Sequence, residues 1–372
     1  MPDTTYPFTN LAGAGVAFKL LSAVTARAFA PFEYERRIAD FVEFAALGTV
    51  ADMMPLVGEN RTIVSLGLAR IKKSRSSGLR KLCEGKEEVA DLIGFHIGPR
   101  INAAGRMDTP YTALKLLLAA DDRVDALLTE IEDLNARRKT STEYFLNHAL
   151  QVTDPSEGVA FYENDQIEHG IIGLIAGRLC EAFTKPAIAL KREEGKLVAS
   201  CRAPEGFDMV SFLTEFKDSF LAFGGHKQAA GFSISVEKFD DFRARASARA
   251  HEIRAGITVG ERPLKADMEL SLDDVSESLV KEIRSYGPYG MSFAKPAFFF
   301  RGVKARVEKL GKNGKHFKLV APNFSGKINA FGFGQFDKEL LSRDTFDLVC
   351  EMEVEKWMGR SGIVLTVRDI VA

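Results

Sequence analysis

The 372-residue sequence has no strong net charge, few cysteines and no long apolar run, and each absence removes a class of protein. Fifty basic residues against 51 acidic ones leave a formal charge of −1. No global field therefore draws the chain onto nucleic acid or a membrane, and any such binding needs a local patch. The four cysteines, Cys83, Cys180, Cys201 and Cys350, are scattered with no Cys-x-x-Cys pair. That spacing argues against structural zinc and against a disulfide framework, and it fits a reducing cytoplasm. No apolar stretch reaches the roughly 18 residues that a membrane-spanning helix needs. The opening MPDTTYPFTN has no basic region and no apolar region, so no secretory leader is expected. No internal repeat and no low-complexity segment is visible.

What is present is enough apolar material, 46% of residues, for ordinary cores, and a length that suggests two or three domains. Helical spacing of apolar residues predicts helices over LAGAGVAFKLLSAV, ERRIADFVEFAAL and NRTIVSLGLARIKK, with Gly48 and Pro55 as punctuation. LIGFHIGPRINAAGRMDTP reads as a loop because of its glycines and prolines. In DDRVDALLTEIEDLNARRKTSTEYFLNHALQV, Val124, Leu127, Leu128, Ile131 and Leu134 share one helical face, with Asp121 as N-cap. Such a helix, about 30 residues long, exceeds ordinary globular lengths and reads as a connector between domains. Residues 158–255 alternate strands and helices, which predicts an α/β or α+β domain. From about residue 262 short strands with glycine turns suggest a small barrel or sandwich.

Three stretches carry candidate chemistry. In LGTVADMMPL, Asp52 follows an apolar segment; it is either a helix N-cap or a carboxylate ligand for Mg²⁺ or Mn²⁺. GPRINAAGR places Arg100 and Arg106 around small residues. Their planar forks suit phosphate, or they pair with acids on a neighbouring helix. VASCRA ends a strand with Ser200 and Arg202, and FGGHKQAAGFSI adds Gly224, Gly225, His226 and Lys227 in a segment with little bulk. Two glycines with φ > 0 can turn their N–H groups toward one anion. The alternative is a tight turn in which His226 caps a helix.

LAGAGVAFKL, GTVADMMPL, GPRINAAGRM, GIIGLIAGRL, FGGHKQAAGFS and YGPYGMSFAKPAF occur in the order found in the RecJ family of the DHH phosphoesterases. The chain resembles that family from about Leu11 to its C-terminus. The resemblance implies a multidomain α/β protein: the C-terminal part of a DHH domain (1–120), a connector helix (121–152), a DHHA1 α/β domain (153–258) and an OB-fold β-barrel (259–372). It implies a metal-dependent 5′→3′ exonuclease acting on single-stranded DNA in repair and recombination. Mn²⁺ or Mg²⁺ would be the cofactor, the cytoplasm the location, and a helicase or single-strand-binding protein a partner. Asp52 then falls on a metal ligand; Arg100, Asn102 and Arg106 border the cleft; Ser200, Arg202, Gly224, Gly225 and His226 contact the nucleic-acid backbone.

In the segment matching the OB domain, Lys295, Arg301, Lys304, Arg306, Lys309, Lys312, Lys315, Lys318 and Lys327 stand against Glu308, interleaved with Phe298, Phe299, Phe300, Phe317 and Phe324. A basic groove with stacking aromatics suits sequence-tolerant binding of a single strand, although most of these phenylalanines are expected in the core. Lys304, Arg306, Lys318 and Phe317 are the candidate contacts. Two features depart from the family pattern. The family's Trp-His pair is replaced around Ile167-Glu168-His169-Gly170, so His169 receives no role. The chain also has no Asp-x-Asp and no Asp-His-His, as if the front of the first domain had been cut away. A two-metal hydrolase needs several carboxylates and histidines, so this chain is expected to keep strand binding and lose hydrolysis. The alternatives are a non-catalytic single-strand-binding partner in a repair complex, and a phosphodiesterase of short oligonucleotides, against which the C-terminal domain speaks.

Overall fold

The structure is a computed structural model that describes residues 5–85, 92–256, 265–311, 316–322, 328–333, 338–357 and 360–371. Among these, the first 118 residues hold helices and no strand: α1 (Gly13–Ala28), α2 (Pro31–Ala39), α3 (Val42–Ala51), α4 (Gly58–Arg70), α5 (Ser77–Leu82), α6 (Gly98–Met107) and α7 (Tyr111–Leu118). Then come α8 (Asp121–Val152), β1 (Ala160–Glu163), α9 (Ile172–Phe183), β2 (Ala187–Glu193), β3 (Lys196–Arg202), α10 (Met209–Thr214), β4 (Phe220–His226), β5 (Ala229–Ser235) and α11 (Val236–Gly256). The last part holds β6 (Met268–Glu269), α12 (Glu277–Ser285), β7 (Phe298–Lys304), β8 (Arg306–Leu310), β9 (His316–Val320), β10 (Ile328–Gly332), β11 (Thr345–Trp357) and β12 (Arg360–Val371). The chain divides into two compact units. One comprises Met1–Lys72, Glu87–Ile93 and Arg262–Ala372; the other comprises Lys73–Lys86 and Gly94–Glu261.

In the first unit the glycines act as contact points rather than breaks. Gly48 lies inside α3, where a Cβ would stand 2.3 Å from that of Ala14. Gly67 of α4 would meet Ala46 at the same distance. Bare backbone at these two sites lets α1, α3 and α4 approach closely. The helix expected over residues 35–47 is instead split at Asp40 and Phe41 into α2 and α3. The segment YGPYGMSF joins α4: Arg61 donates from Nη1 to the Pro288 carbonyl at 3.0 Å. Its guanidinium lies 3.9 Å from the Phe293 ring centroid, and the Leu56 N–H reaches the Met291 carbonyl at 2.7 Å.

The strands of this unit form one sheet in the order β6-β7-β11-β12-β10-β9-β8. The single strand expected over residues 296–310 breaks at Ala305 into β7 and β8, which lie toward opposite ends of the ladder. The sheet is not a closed hydrogen-bonded barrel among the described residues; its ends are joined by the chain itself. Phe300, Phe317, Leu319, Ala330, Leu348 and Leu365 fill its core.

The second unit corrects two expectations. Most of the loop expected over residues 92–110 is instead a π-helical turn, Leu92–Ile97, whose last four residues belong to this unit, running into α6. Pro99 sits in the first turn, where no N–H is required, and Ala103 and Ala104 are buried. The long helix is confirmed as α8, with Val124, Leu127, Ile131 and Leu134 buried. Asp121 is its first helical residue rather than its cap, and with Asp122 it places two carboxylates at the positive end of the dipole. Along its length α8 packs against α5, α6, α7 and α9. The five-stranded sheet has the order β1-β2-β3-β5-β4. One face buries Leu197, Ala199, Cys201, Phe232 and Ile234 against Phe212 and Phe242. On the other face Ala187 and Ala189 meet Ile175 and Leu179 of α9.

Candidate nucleic-acid interface

FGGH is a strand, not a loop. Gly224 pairs with Gly231, Gly225 with Ala230, and His226 with Ala229, leaving Lys227 and Gln228 as a two-residue turn. The nest of two left-handed glycines is therefore corrected. Gly225 alone of the two has a positive φ, +146°, and a Cβ there would lie 2.4 Å from Ala230 Cα. In a paired antiparallel strand, successive N–H groups point to opposite edges and cannot converge on one anion. His226 caps no helix; it is exposed on the edge strand. The Lys227 carbonyl accepts from the Met209 N–H at 2.7 Å, and its side chain is exposed.

The absence of bulk still has a purpose. Register aligns Ser200, Gly231 and Gly224 in one row across β3, β5 and β4, and Arg202, Ala229 and His226 in the next. Residues opposite one another share a face, here the face carrying α9. That helix covers β1, β2 and β3. Beyond it Gly224, Gly231 and Ala229 leave a low floor about 10 Å wide between Arg202 and His226, two strand spacings.

At the near edge of that floor, basic side chains converge. Arg202 donates from Nη1 to Ser200 Oγ at 3.1 Å and to the Cys201 carbonyl at 2.8 Å. Arg106, on α6, donates to the Gly170 carbonyl at 3.0 Å. Two glycines permit this closeness. A Cβ on Gly170 would stand 2.0 Å from the Arg106 carbonyl oxygen, and one on Gly173 would stand 3.0 Å from Arg202 Nη2 and 3.1 Å from Ser200 Oγ. The start of α9 beside them has no acid in its first turn and follows directly on a 3₁₀ turn, His169–Ile171, whose His169 carbonyl accepts from the Ile172 N–H. Burial, together with the charge of Arg202, lowers the Arg106 pKa from its ordinary value.

Sequence reasoning missed a third arginine. Arg138, in mid-α8, donates to Asn135 Oδ1 at 3.0 Å. Burial, with Arg106 nearby, lowers its pKa too. Its signal was position: helical, amid other charges, with nothing to show that it faces inward. Among the described residues none of the three arginines has an ion pair with a carboxylate. Arg100 differs, because Glu132 of α8 accepts from its Nε at 2.6 Å, the pairing weighed against phosphate binding. Asn102 is exposed on α6.

On the β-sheet of the first unit Phe317 is corrected: it is fully buried and presents no ring face to a base. Its ring packs on Gly332, where a Cβ would come within 2.0 Å. Phe298 and Phe300 are also core, and Phe299 lies under Arg301, 5.1 Å away. The accessible rings are ones not singled out. Phe333 is 58% exposed, stacks on Phe331 at 6.2 Å and meets His316 edge-on at 5.7 Å. Lys318 Nζ lies 5.7 Å from the Phe331 centroid. Lys304 is exposed. Arg306 pairs with Glu308 at 2.7 Å, Arg301 with Glu269 at 3.0 Å, and Lys295 with Glu353. Lys312, Lys315, Lys327 and Phe324 lie outside the described residues.

Two domain families match: the DHHA1 domain over residues 156–252 and the RecJ OB domain over 266–369. The single-stranded-DNA-specific exonuclease RecJ of Dickeya dadantii is 30% identical over 401 residues, covering 100% of this chain and 69% of that protein. The chain belongs to the RecJ family. The Bacillus subtilis RecJ is 31% identical over 99% of this chain but 47% of its own length. Crystal structures of Thermus thermophilus RecJ superpose with TM-scores of 0.81 (Mn²⁺ complex, 30% identity, 97% of this chain) and 0.82 (Mg²⁺ complex, 29% identity, 98% of this chain). They are covered over 53% and 57% of their length, so the chain spans about half the length of several of these RecJ proteins.

Those RecJ complexes raise the question of a metal site here. Asp52 is not an N-cap: it ends α3, with its N–H on the Gly48 carbonyl at 3.0 Å, and is exposed. Among the described residues no group of three or more His, Cys, Asp or Glu side chains is placed to hold a metal ion. A single carboxylate does not fit a two-metal centre. No helix of the described residues is long and apolar enough to cross a membrane.

Proposed function

We infer that this chain is the strand-holding part of a RecJ-type 5′→3′ single-stranded-DNA exonuclease, acting in cytoplasmic DNA repair and recombination. The observation that carries the reading is the convergence of Arg106, Arg138 and Arg202 with Ser200, none of the three arginines being ion-paired to a carboxylate among the described residues. Paired guanidinium charge is spent; unpaired, half-buried guanidinium charge is available to phosphate. The floor of Gly224, Gly231 and Ala229 gives the backbone room, with His226 and Lys227 as donors at its far side. Phe331, Phe333, Lys304 and Lys318 offer the OB domain's stacking and charge. Lys318 lies on β9, Phe331 on β10 with Phe333 just beyond it, and Lys304 at the end of β7; β9 and β10 are the second and third strands of the OB fold when β7 and β8 count as its first, and those strands bind oligonucleotides in this fold.

We assign residues 1–120 to the C-terminal part of a DHH domain, 121–152 to the connector helix, 153–258 to DHHA1 and 259–372 to the OB domain. Asp52 is the carboxylate that the chain offers to Mn²⁺ or Mg²⁺. With no group of three or more metal-ligating side chains among the described residues, the chain alone binds a strand and does not hydrolyse it. A helicase or single-strand-binding protein that delivers a free strand is the class of partner the site requires.

The test is anisotropy of a 3′-labelled 20-nucleotide single strand in EDTA, and nucleotide release in Mn²⁺. Tight binding that falls steeply with salt, with no release, is expected. A flat salt dependence sinks the phosphate reading, and nucleotide release sinks the claim that this chain does not hydrolyse.

A further inference from the structure

Among the described residues of the second unit, Arg138 is the one cation with a buried side-chain nitrogen that lacks a hydrogen-bond partner. Its Nε is buried without a hydrogen-bond partner, and its Nη2 donates to a neutral amide, Asn135 Oδ1, one turn back on its own helix. One turn further along α8, Thr142 Oγ1 is likewise buried without a partner. Arg138, Ser141 and Thr142 share a face of α8 at spacings of three and four, and Ser141 Oγ ties that face to Glu168 Oε1 at 3.0 Å. Two residues after Glu168, the Gly170 carbonyl holds Arg106. A buried guanidinium N–H left without an acceptor is a bond that an anion can complete.

Resting on the strand-holding function above, we propose that Arg138 is a third anion-contact residue, held unpaired on α8 so that a phosphate of the bound strand completes its hydrogen bonds. An unpaired, half-buried charge beside a like charge opposes folding. A residue of this kind should therefore weaken the fold and strengthen binding, the reverse of a structural arginine.

Arg138→Gln separates the two roles, since glutamine keeps an amide donor for Asn135 and removes the charge. In phosphate-free buffer the full chain carrying this change should melt at or above the parent's temperature. Inorganic phosphate should raise its Tm less than it raises the parent's. Its affinity for a 20-nucleotide strand should fall about tenfold at low salt, as expected for a lost charge-assisted bond. The slope of log K against log salt should drop by about 0.7, one single-strand phosphate contact. A Tm several degrees lower with an unchanged salt slope overturns the proposal and makes Arg138 structural. Arg202→Gln is the control. If it lowers the slope and Arg138→Gln does not, the strand-holding function stands and this proposal falls. If neither does, both fall.

Discussion

Gly170 and Gly173, three residues apart, face different obstacles, and alanine at each separates stability from binding. At Gly170 the new methyl would stand 2.0 Å from the Arg106 carbonyl oxygen and 2.5 Å from its Cα. Both are backbone atoms, so α6 and the start of α9 must part. The cost falls at the upper end of overpacking penalties, about 3 kcal/mol. At roughly 2–4 °C per kcal/mol for a unit of this size, Tm should fall by about 6–12 °C. At Gly173 the methyl meets the ends of side chains, Arg202 Nη2 at 3.0 Å and Ser200 Oγ at 3.1 Å, which can retreat. The helix gains up to about 0.5–1 kcal/mol from replacing glycine, so Tm should stay within about 2 °C of the parent. The retreat displaces the Arg202 guanidinium and the Ser200 hydroxyl, and single-strand affinity should fall about tenfold, 1.4 kcal/mol. Differential scanning fluorimetry and anisotropy on both variants measure the two effects. Undiminished affinity in Gly173→Ala would remove the α9 start from the phosphate site. A parental Tm in Gly170→Ala would refute the close approach itself.

Two further expectations concern the rings and thiols. Phe333→Ala should leave Tm unchanged and cost about 1–3 kcal/mol of strand affinity, one stacked base. Phe317→Ala should instead lose about 3–5 kcal/mol of stability through a core cavity; the opposite pattern in melting and anisotropy would reverse the assignment of the two rings. All four cysteines are buried thiols outside any disulfide, with burial raising the thiol pKa of Cys180 to about 11 and of Cys350 to about 12. A thiol-reactive dye at pH 8 should therefore label none within minutes in the native protein and all four in denaturant. Rapid native labelling of any one would show that its burial is wrong.

Much of the organisation was legible because it rests on local pattern. The apolar period marked α8 almost to its ends, and the β-rich C-terminal region followed from short runs with glycine turns. Where local pattern misled, packing had decided otherwise. Pro99 and Gly105 look like loop residues, yet α6 forms because its proline sits in the first turn and its alanines bury. Gly48 looks like punctuation and is a helix contact. FGGH looks like a loop and is an edge strand, because β5 supplies the partner that a sequence window cannot contain.

By itself the sequence determined the family, the order of its elements, and the residue types able to meet phosphate: Ser200, Arg202, Arg106 and the glycine-rich FGGHKQAAG. The tertiary structure decided which charges are free. Arg100 and Arg106 are six residues apart in one motif, but α8 presents Glu132 to the first and Arg138 to the second. Likewise, Phe317 and Phe331 belong to the same sheet, but the former points into the core and the latter does not. Charge and stacking become available through what a neighbouring element leaves unpaired or uncovered, and that neighbour is distant in the chain.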